Sequence, residues 1–249
     1  MDVFRFKNIV ATHCVSTRVG GVSSGVYATM NLGAHLGDTP ENVAENFKIL
    51  RDGVFGGNGK IVRTHQTHGT NIALVDENTG VLDDVDGLIT NVPGLILTTY
   101  FADCVPLLFY DPVAGAIGNA HAGWRGCAEN MAEKMVNAMT NHFGSKPCNI
   151  LVGIGPSISA VHFQVGQDVV EKFKNTLPFS SDFVYNSPEH KNKFYIDLWQ
   201  ICCQALILAG ISPENIEVAG LCTFENKDLF FSHRRDGLAR GSMVGMICL

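Results

Sequence analysis

The 249-residue sequence has no run of basic residues, and its formal net charge is −6. That balance gives no electrostatic reason to bind nucleic acid or an anionic membrane, so neither is expected as a partner. No apolar run is long enough to span a bilayer. The opening Met1-Asp2-Val3-Phe4-Arg5-Phe6-Lys7 lacks the charged-then-apolar order of a secretory signal, and a cytoplasmic protein is expected. The cysteines follow neither a disulfide framework nor a zinc-ribbon spacing. Most of Cys14, Cys127, Cys148, Cys202, Cys203, Cys222 and Cys248 read instead as small, buried, reduced side chains. Internal repeats, low-complexity tracts and linkers are also missing, so residues 1–249 are expected to form one domain.

Hydrophobic residues make up 46% of the chain and charged residues 17%, which is enough apolar material for a substantial core. Short runs rich in β-formers predict buried strands at residues 95–101, 105–110, 115–120 and 149–154. Four helices are signalled between them. Thr39-Pro40-Glu41 is an N-cap with proline in the first turn, after which Val43, Phe47 and Leu50 share a face. Ala128, Met131, Ala132, Met135, Val136 and Met139 form a second stripe, ended near Gly144. Asp197 caps a third helix that stops at Gly210, and a fourth covers residues 167–177. Strands outnumber helices and turn residues separate them, which favours α+β with mixed or antiparallel sheets.

Two segments carry most of the chemistry. Ala102-Asp103-Cys104-Val105-Pro106 follows one expected strand, and His121-Ala122-Gly123-Trp124-Arg125-Gly126 follows another, with a helix expected after Gly126. Strand ends fix side chains while leaving room for a ligand. Cys104 and His121 so placed suit either a nucleophile with its base or two ligands of one metal ion. A third ligand is offered by Arg63-Thr64-His65-Gln66-Thr67-His68-Gly69-Thr70. On an extended segment His65 and His68 face opposite sides, so only one joins the pair; the glycine after His68 favours that residue. His13, His35, His162 and His233 read as surface or hydrogen-bonded side chains. A His/Cys/His set is borderline-soft and leaves a fourth position open, as catalytic zinc sites do; copper accepts the same donors. Arg125, together with the start of the helix that follows it, suits phosphate or carboxylate. Arg18 lies in a glycine-rich turn, Thr17-Arg18-Val19-Gly20-Gly21-Val22-Ser23, and Arg234 in a basic one, Phe231-Ser232-His233-Arg234-Arg235-Asp236-Gly237.

These segments, with Met30-Asn31-Leu32-Gly33, Gly155-Pro156-Ser157-Ile158 and Cys222-Thr223, resemble in colinear order the bacterial laccase-domain or polyphenol-oxidase-like proteins regarded as purine nucleoside phosphorylases. The resemblance runs from about residue 12 to the C-terminus. It implies an α/β/α-type layered domain with His68, Cys104 and His121 as the metal ligands. It also implies phosphorolysis of adenosine, inosine, guanosine and methylthioadenosine, with adenosine deamination alongside. Purine nucleoside and phosphate are then the expected partners, Arg125, Arg18, Asn31 and Arg234 the expected substrate-side residues, zinc (or copper) the cofactor, and a monomer or small homo-oligomer the assembly. Three departures fall on the substrate side: Phe163-Gln164-Val165-Gly166 replaces the usual Tyr-Glu-Val-Gly, His233 a tyrosine, and Arg240-Gly241 inverts Gly-Arg. Competing readings are a copper-dependent phenol oxidase, a cysteine hydrolase using Cys104 and His121, and a non-enzymatic role. The lack of a His-x-His pair among nine histidines argues against the first.

Overall fold

A computed structural model describes residues 2–249 and places two sheets face to face between helices. In the five-stranded sheet, Val3–Phe4, Thr12–Ser16, Met243–Cys248 and Leu95–Phe101 pair antiparallel in that order, and Lys60–Val62 joins parallel at the edge. The six-stranded sheet runs Ile216–Val218, Leu151–Ile154, Val105–Asp111, Ala116–Ala122, Gly87–Thr90, Ile72–Leu74, antiparallel inside and parallel at both outer pairs. The layered α+β architecture with mixed sheets matches expectation, and its β layer consists of two stacked sheets.

Period-two alternation explains the doubling. Ile96 packs against the helix Pro40–Phe55 with Val43, Phe47 and Leu50, while Leu95, Leu97 and Phe101 point the other way. There they meet Leu88, Leu108 and Ile117 of the second sheet. Leu107, Phe109, Ala116 and Ala120 leave that sheet's far face and pack beneath the helices Met131–Phe143, Gln167–Thr176 and Leu198–Leu208. A strand buried on both faces therefore reads as a continuous apolar run. One polar link crosses between the sheets: Asn119 donates to the carbonyls of Leu97 (2.8 Å) and Gly245 (2.7 Å) and accepts from the Thr99 hydroxyl (2.8 Å).

The helix starts obey their local signals. Thr39 accepts from the Asn42 amide, and Asp197 from that of Gln200. The second apolar stripe, however, is not one helix. Trp124–Ala128 forms a short helix, and Asn130, in the left-handed region at φ 61°, breaks it before Met131–Phe143. An asparagine tolerates that conformation and caps the new helix, so the stripe spans a corner. The first of these helices begins at Trp124 rather than beyond Gly126, because Gly123 already has the extended backbone of an N-cap. All eight cysteines are free, as expected, although Cys148 is exposed. Among the described residues no helix is long and apolar enough to cross a membrane.

Candidate metal centre

The strand Leu95–Phe101 belongs to one sheet and Val105–Asp111 to the other, so residues 102–104 carry the chain between them. That crossing needs a sharp turn, and Asp103 makes it at φ 85°. For a residue with a Cβ the conformation is strained, and its surroundings hold it there. The buried carboxylate accepts from the Thr223 hydroxyl (2.6 Å), the Ser232 hydroxyl (3.0 Å) and the Arg234 amide (2.6 Å), while the Asp103 carbonyl accepts from the Ile158 amide. Asp103 thus fixes the orientation of Cys104 and ties the basic turn of residues 231–237 to it.

His121 is the next-to-last residue of Ala116–Ala122 and lies opposite Pro106, beside the Cys104 turn. His68 reaches the same place from a loop and adopts φ 62°. The ligating atoms of His68, Cys104 and His121 all lie within 4.8 Å of one another, and the two imidazole rings meet edge to face. His65, by contrast, is exposed and pairs with Asp83. Gly123 closes the cradle. A Cβ there would stand 2.8 Å from His68 Cδ2, 3.4 Å from Cys104 Sγ and 3.5 Å from His121 Cε1.

Behind the three side chains sits Asp86, fully buried. One carboxylate oxygen accepts from His121 Nδ1 (2.7 Å) and the His68 amide (3.2 Å), the other from the amides of Thr67 (3.1 Å) and Gly69 (2.9 Å). A single carboxylate therefore shapes the His68 loop and keeps a proton of His121 on Nδ1, so that Nε2 faces Cys104 and is the nitrogen a metal ion would take up in place of its proton. Burial works against the Asp86 charge, but the His121 hydrogen bond and the loop amides outweigh it and hold its pKa below the ordinary carboxylate value. Burial likewise opposes a Cys104 thiolate, yet His121 and His68 bring the thiol down to about 6. In return, Cys104 and Asp86 raise His121 to about 9 against the same burial. The electrostatics favour a thiolate, which is the form that binds a metal.

Three donors of this kind, with an acid–histidine support behind one of them, fit a divalent borderline-soft ion in a site open at the fourth position.

The expected substrate-side residues are arranged differently from one another. Arg125 is exposed, lies over the Trp124 ring at 4.3 Å, and pairs with no carboxylate among the described residues. Arg18 donates to the carbonyls of Ala28 and Lys227 and covers the Phe231 ring. The Arg234 guanidinium donates to the carbonyls of His162 and Gln164, while its own amide rests on Asp103. Asn31 is buried, with its amide engaged by Gly33, Asp38 and Ser242. Sequence reasoning missed Asp86 altogether. Its one local signal is an acid inside the apolar run Val85-Asp86-Gly87-Leu88-Ile89.

Residues 12–249 match the family described as multi-copper polyphenol oxidoreductase laccase. The chain belongs to that family. A Bacteroides thetaiotaomicron relative named purine nucleoside phosphorylase is 35% identical across 98% of this chain and 93% of its own length. The Escherichia coli protein named purine nucleoside phosphorylase YfiH is 36% identical across 95% and 93%. The crystal structure of YlmD from Geobacillus stearothermophilus superposes with a TM-score of 0.93 at 33% identity, covering 100% of this chain and 96% of that one. The family carries two descriptions, an oxidase and a phosphorylase, and the chemistry of this site has to be weighed between them.

Proposed function

We propose that this chain is a zinc-dependent purine nucleoside phosphorylase, in one domain of residues 1–249, with His68, Cys104 and His121 as metal ligands. The observation that carries the metal site is the convergence of their three donor atoms within 4.8 Å, backed by Asp86. The phosphorylase names of the relatives carry the reaction class. A three-donor set with an open position suits catalytic zinc, whereas a multicopper oxidase centre needs many more imidazoles than these.

In phosphorolysis a phosphate oxygen bonds to C1′ of the ribose, the C1′–N9 bond breaks, and the purine leaves with the electron pair. Zinc at the three ligands would supply Lewis acidity towards whichever oxygen or nitrogen fills its open position. The chain's own contribution is positional. Asp86 keeps His121 in one tautomer, and the Asp103 hydrogen bonds hold Cys104 and the 231–237 turn in one frame. Arg125, with no carboxylate partner among the described residues, holds phosphate; Arg18 and Arg234 line the approach with guanidinium groups already oriented by carbonyls. Adenosine, inosine, guanosine and methylthioadenosine are the substrates this reading names, with deamination of adenosine at C6 as a side activity.

Product analysis tests it. Each nucleoside is incubated with and without phosphate: free base plus sugar phosphate is expected only with phosphate, and inosine from adenosine reports the deaminase. Cys104→Ala should lose the metal and both activities. Full phosphorolysis by metal-free Cys104→Ala would overturn the proposal, and phenol oxidation without nucleoside turnover would return the oxidase reading.

A further inference from the structure

His162 was expected to be a surface or hydrogen-bonded residue, and it does pair with an acid, its Nε2 lying 2.9 Å from Glu225 Oε1. The pair has a third neighbour. Cys222 Sγ, His162 and Glu225 present ligating atoms that all lie within 4.8 Å of one another, outside the site built on Cys104. We propose that His162, Cys222 and Glu225 form a second binding site for a borderline-soft divalent cation, zinc foremost.

The donor set is a thiolate, an imidazole and a carboxylate, each a common zinc ligand, and their two negative charges balance the ion's two positive ones. Tetrahedral zinc with bonds of about 2.0–2.3 Å sets its donors roughly 3.3–3.6 Å apart. The His162–Glu225 pair would open slightly and the sulfur close in, movements available to two partly exposed side chains. Cys222 itself is buried, and its sulfur accepts from both the amide (3.3 Å) and the hydroxyl (3.1 Å) of Ser159. Donors aimed at a sulfur stabilise its electron-rich form and orient the remaining lone pair, the role outer groups play around metal-bound thiolates.

The backbone carrying the ligands is set in place before any ion arrives. The Cys222 carbonyl accepts from both the amide and the side chain of Asn226. Arg235 clamps the carbonyls of Thr223 and Phe224, and the His162 ring stacks on Phe224 at 4.3 Å between centroids. A cation there would staple the turn Ala160–His162 to residues 222–225, segments distant in sequence. The same two segments hold the basic turn: Arg234 donates to the His162 carbonyl, and Thr223 donates to Asp103 beside Cys104. The second cation would thus brace the wall of the first site without touching its ligands.

Zinc stoichiometry, read by competition with a chromophoric chelator, tests the proposal independently of any enzymatic assay. Wild-type protein should bind two equivalents, and Cys104→Ser/His121→Ala one. His162→Ala/Glu225→Gln, changed at partly exposed positions, should keep its circular dichroism and also bind one. Cobalt added to Cys104→Ser/His121→Ala should give a thiolate-to-cobalt charge-transfer band, which a further Cys222→Ser change removes. Zinc binding lost altogether in Cys104→Ser/His121→Ala, stoichiometry unchanged from the wild type in His162→Ala/Glu225→Gln, or no thiolate band in Cys104→Ser/His121→Ala would each overturn the second site.

Discussion

Replacing Asp86 with asparagine alters one atom, and the hydrogen bonds around that atom set the consequence. The carboxylate oxygens divide their work, one accepting from His121 Nδ1 at 2.7 Å and the His68 amide, the other from the Thr67 and Gly69 amides. An asparagine has one acceptor oxygen, so whichever pair of donors it serves, its NH2 faces the other pair. If the oxygen keeps the loop, the NH2 meets His121 Nδ1. The imidazole then has to shed its Nδ1 proton and carry one on Nε2, which leaves that nitrogen no lone pair to offer a metal ion. If the oxygen keeps His121, the loop that shapes His68 loses two amide bonds to a charged acceptor, each worth about 1.5–3 kcal/mol. Either way the expected result is a 10–100-fold weaker zinc affinity, about 1.4–2.8 kcal/mol, the usual cost of removing such a support. A chelator-competition titration measures it, with phosphorolysis assayed at saturating zinc to separate occupancy from rate. Asp86→Ala, which leaves the loop amides and His121 unpaired, should be at least as weak. An Asp86→Asn protein with unchanged zinc affinity would refute the assignment of Asp86 as the support of His121.

Gly123→Ala keeps an allowed backbone at φ −64° but sets a methyl 2.8 Å from His68 Cδ2, so zinc affinity should fall roughly tenfold while the melting temperature barely moves; unchanged affinity would mean that His68 can step aside. Arg125→Ala should raise KM for phosphate about tenfold with zinc content intact, and an unaltered phosphate KM would remove it from the anion role. His13, on the strand Thr12–Ser16, is not one of the site's residues. Burial holds it below its ordinary 6.5, its Nε2 accepting from the Phe6 amide and its Nδ1 donating to the Ala11 carbonyl. The neutral ring is therefore favoured on folding, and the stability it contributes is complete above 6.5 and lost as pH falls through that value towards the lower folded one. Denaturant midpoints at about pH 7.5 and 5.5 should drop less for His13→Gln than for the wild type, and equal drops would show that other groups set the acid limb.

Features that depend on neighbours along the chain were the ones open to reading from sequence. Thr39-Pro40 and Asp197 act through amides three residues away, and both caps lie where those signals put them. The strands 95–101 and 105–110 were visible because burial on both faces makes an uninterrupted apolar run. The same run concealed the architecture. A two-sided strand looks alike whether helices or a second sheet cover its far face, so the stacking of two sheets between the helices is visible only in the structure. The corner at Asn130 was hidden for a related reason. Apolar spacing continues across it, and only the left-handed asparagine, whose backbone conformation the sequence does not display, marks the break.

The candidate site divides along the same line. Cys104 and His121 are legible because a thiol and an imidazole beside apolar strands are chemically conspicuous; local alternation leaves His68 and His65 as a choice, and it is the His68 loop, shaped by Asp86, that lies beside them while His65 pairs with Asp83. Asp86 is 35 residues from His121 in sequence and meets it only after Gly87–Thr90 pairs with Ala116–Ala122, a register that no local pattern encodes. Glu225 stands in the same relation to His162, 63 residues away. Groups that touch a ligand announce themselves by chemical type, whereas those that aim them are ordinary acids and serines recruited by topology. The groups that aim therefore repay mutation most. Changing a ligand abolishes the site whatever the mechanism, but a graded loss at Asp86 or Gly123 distinguishes a preorganised metal centre from three side chains that merely lie close together.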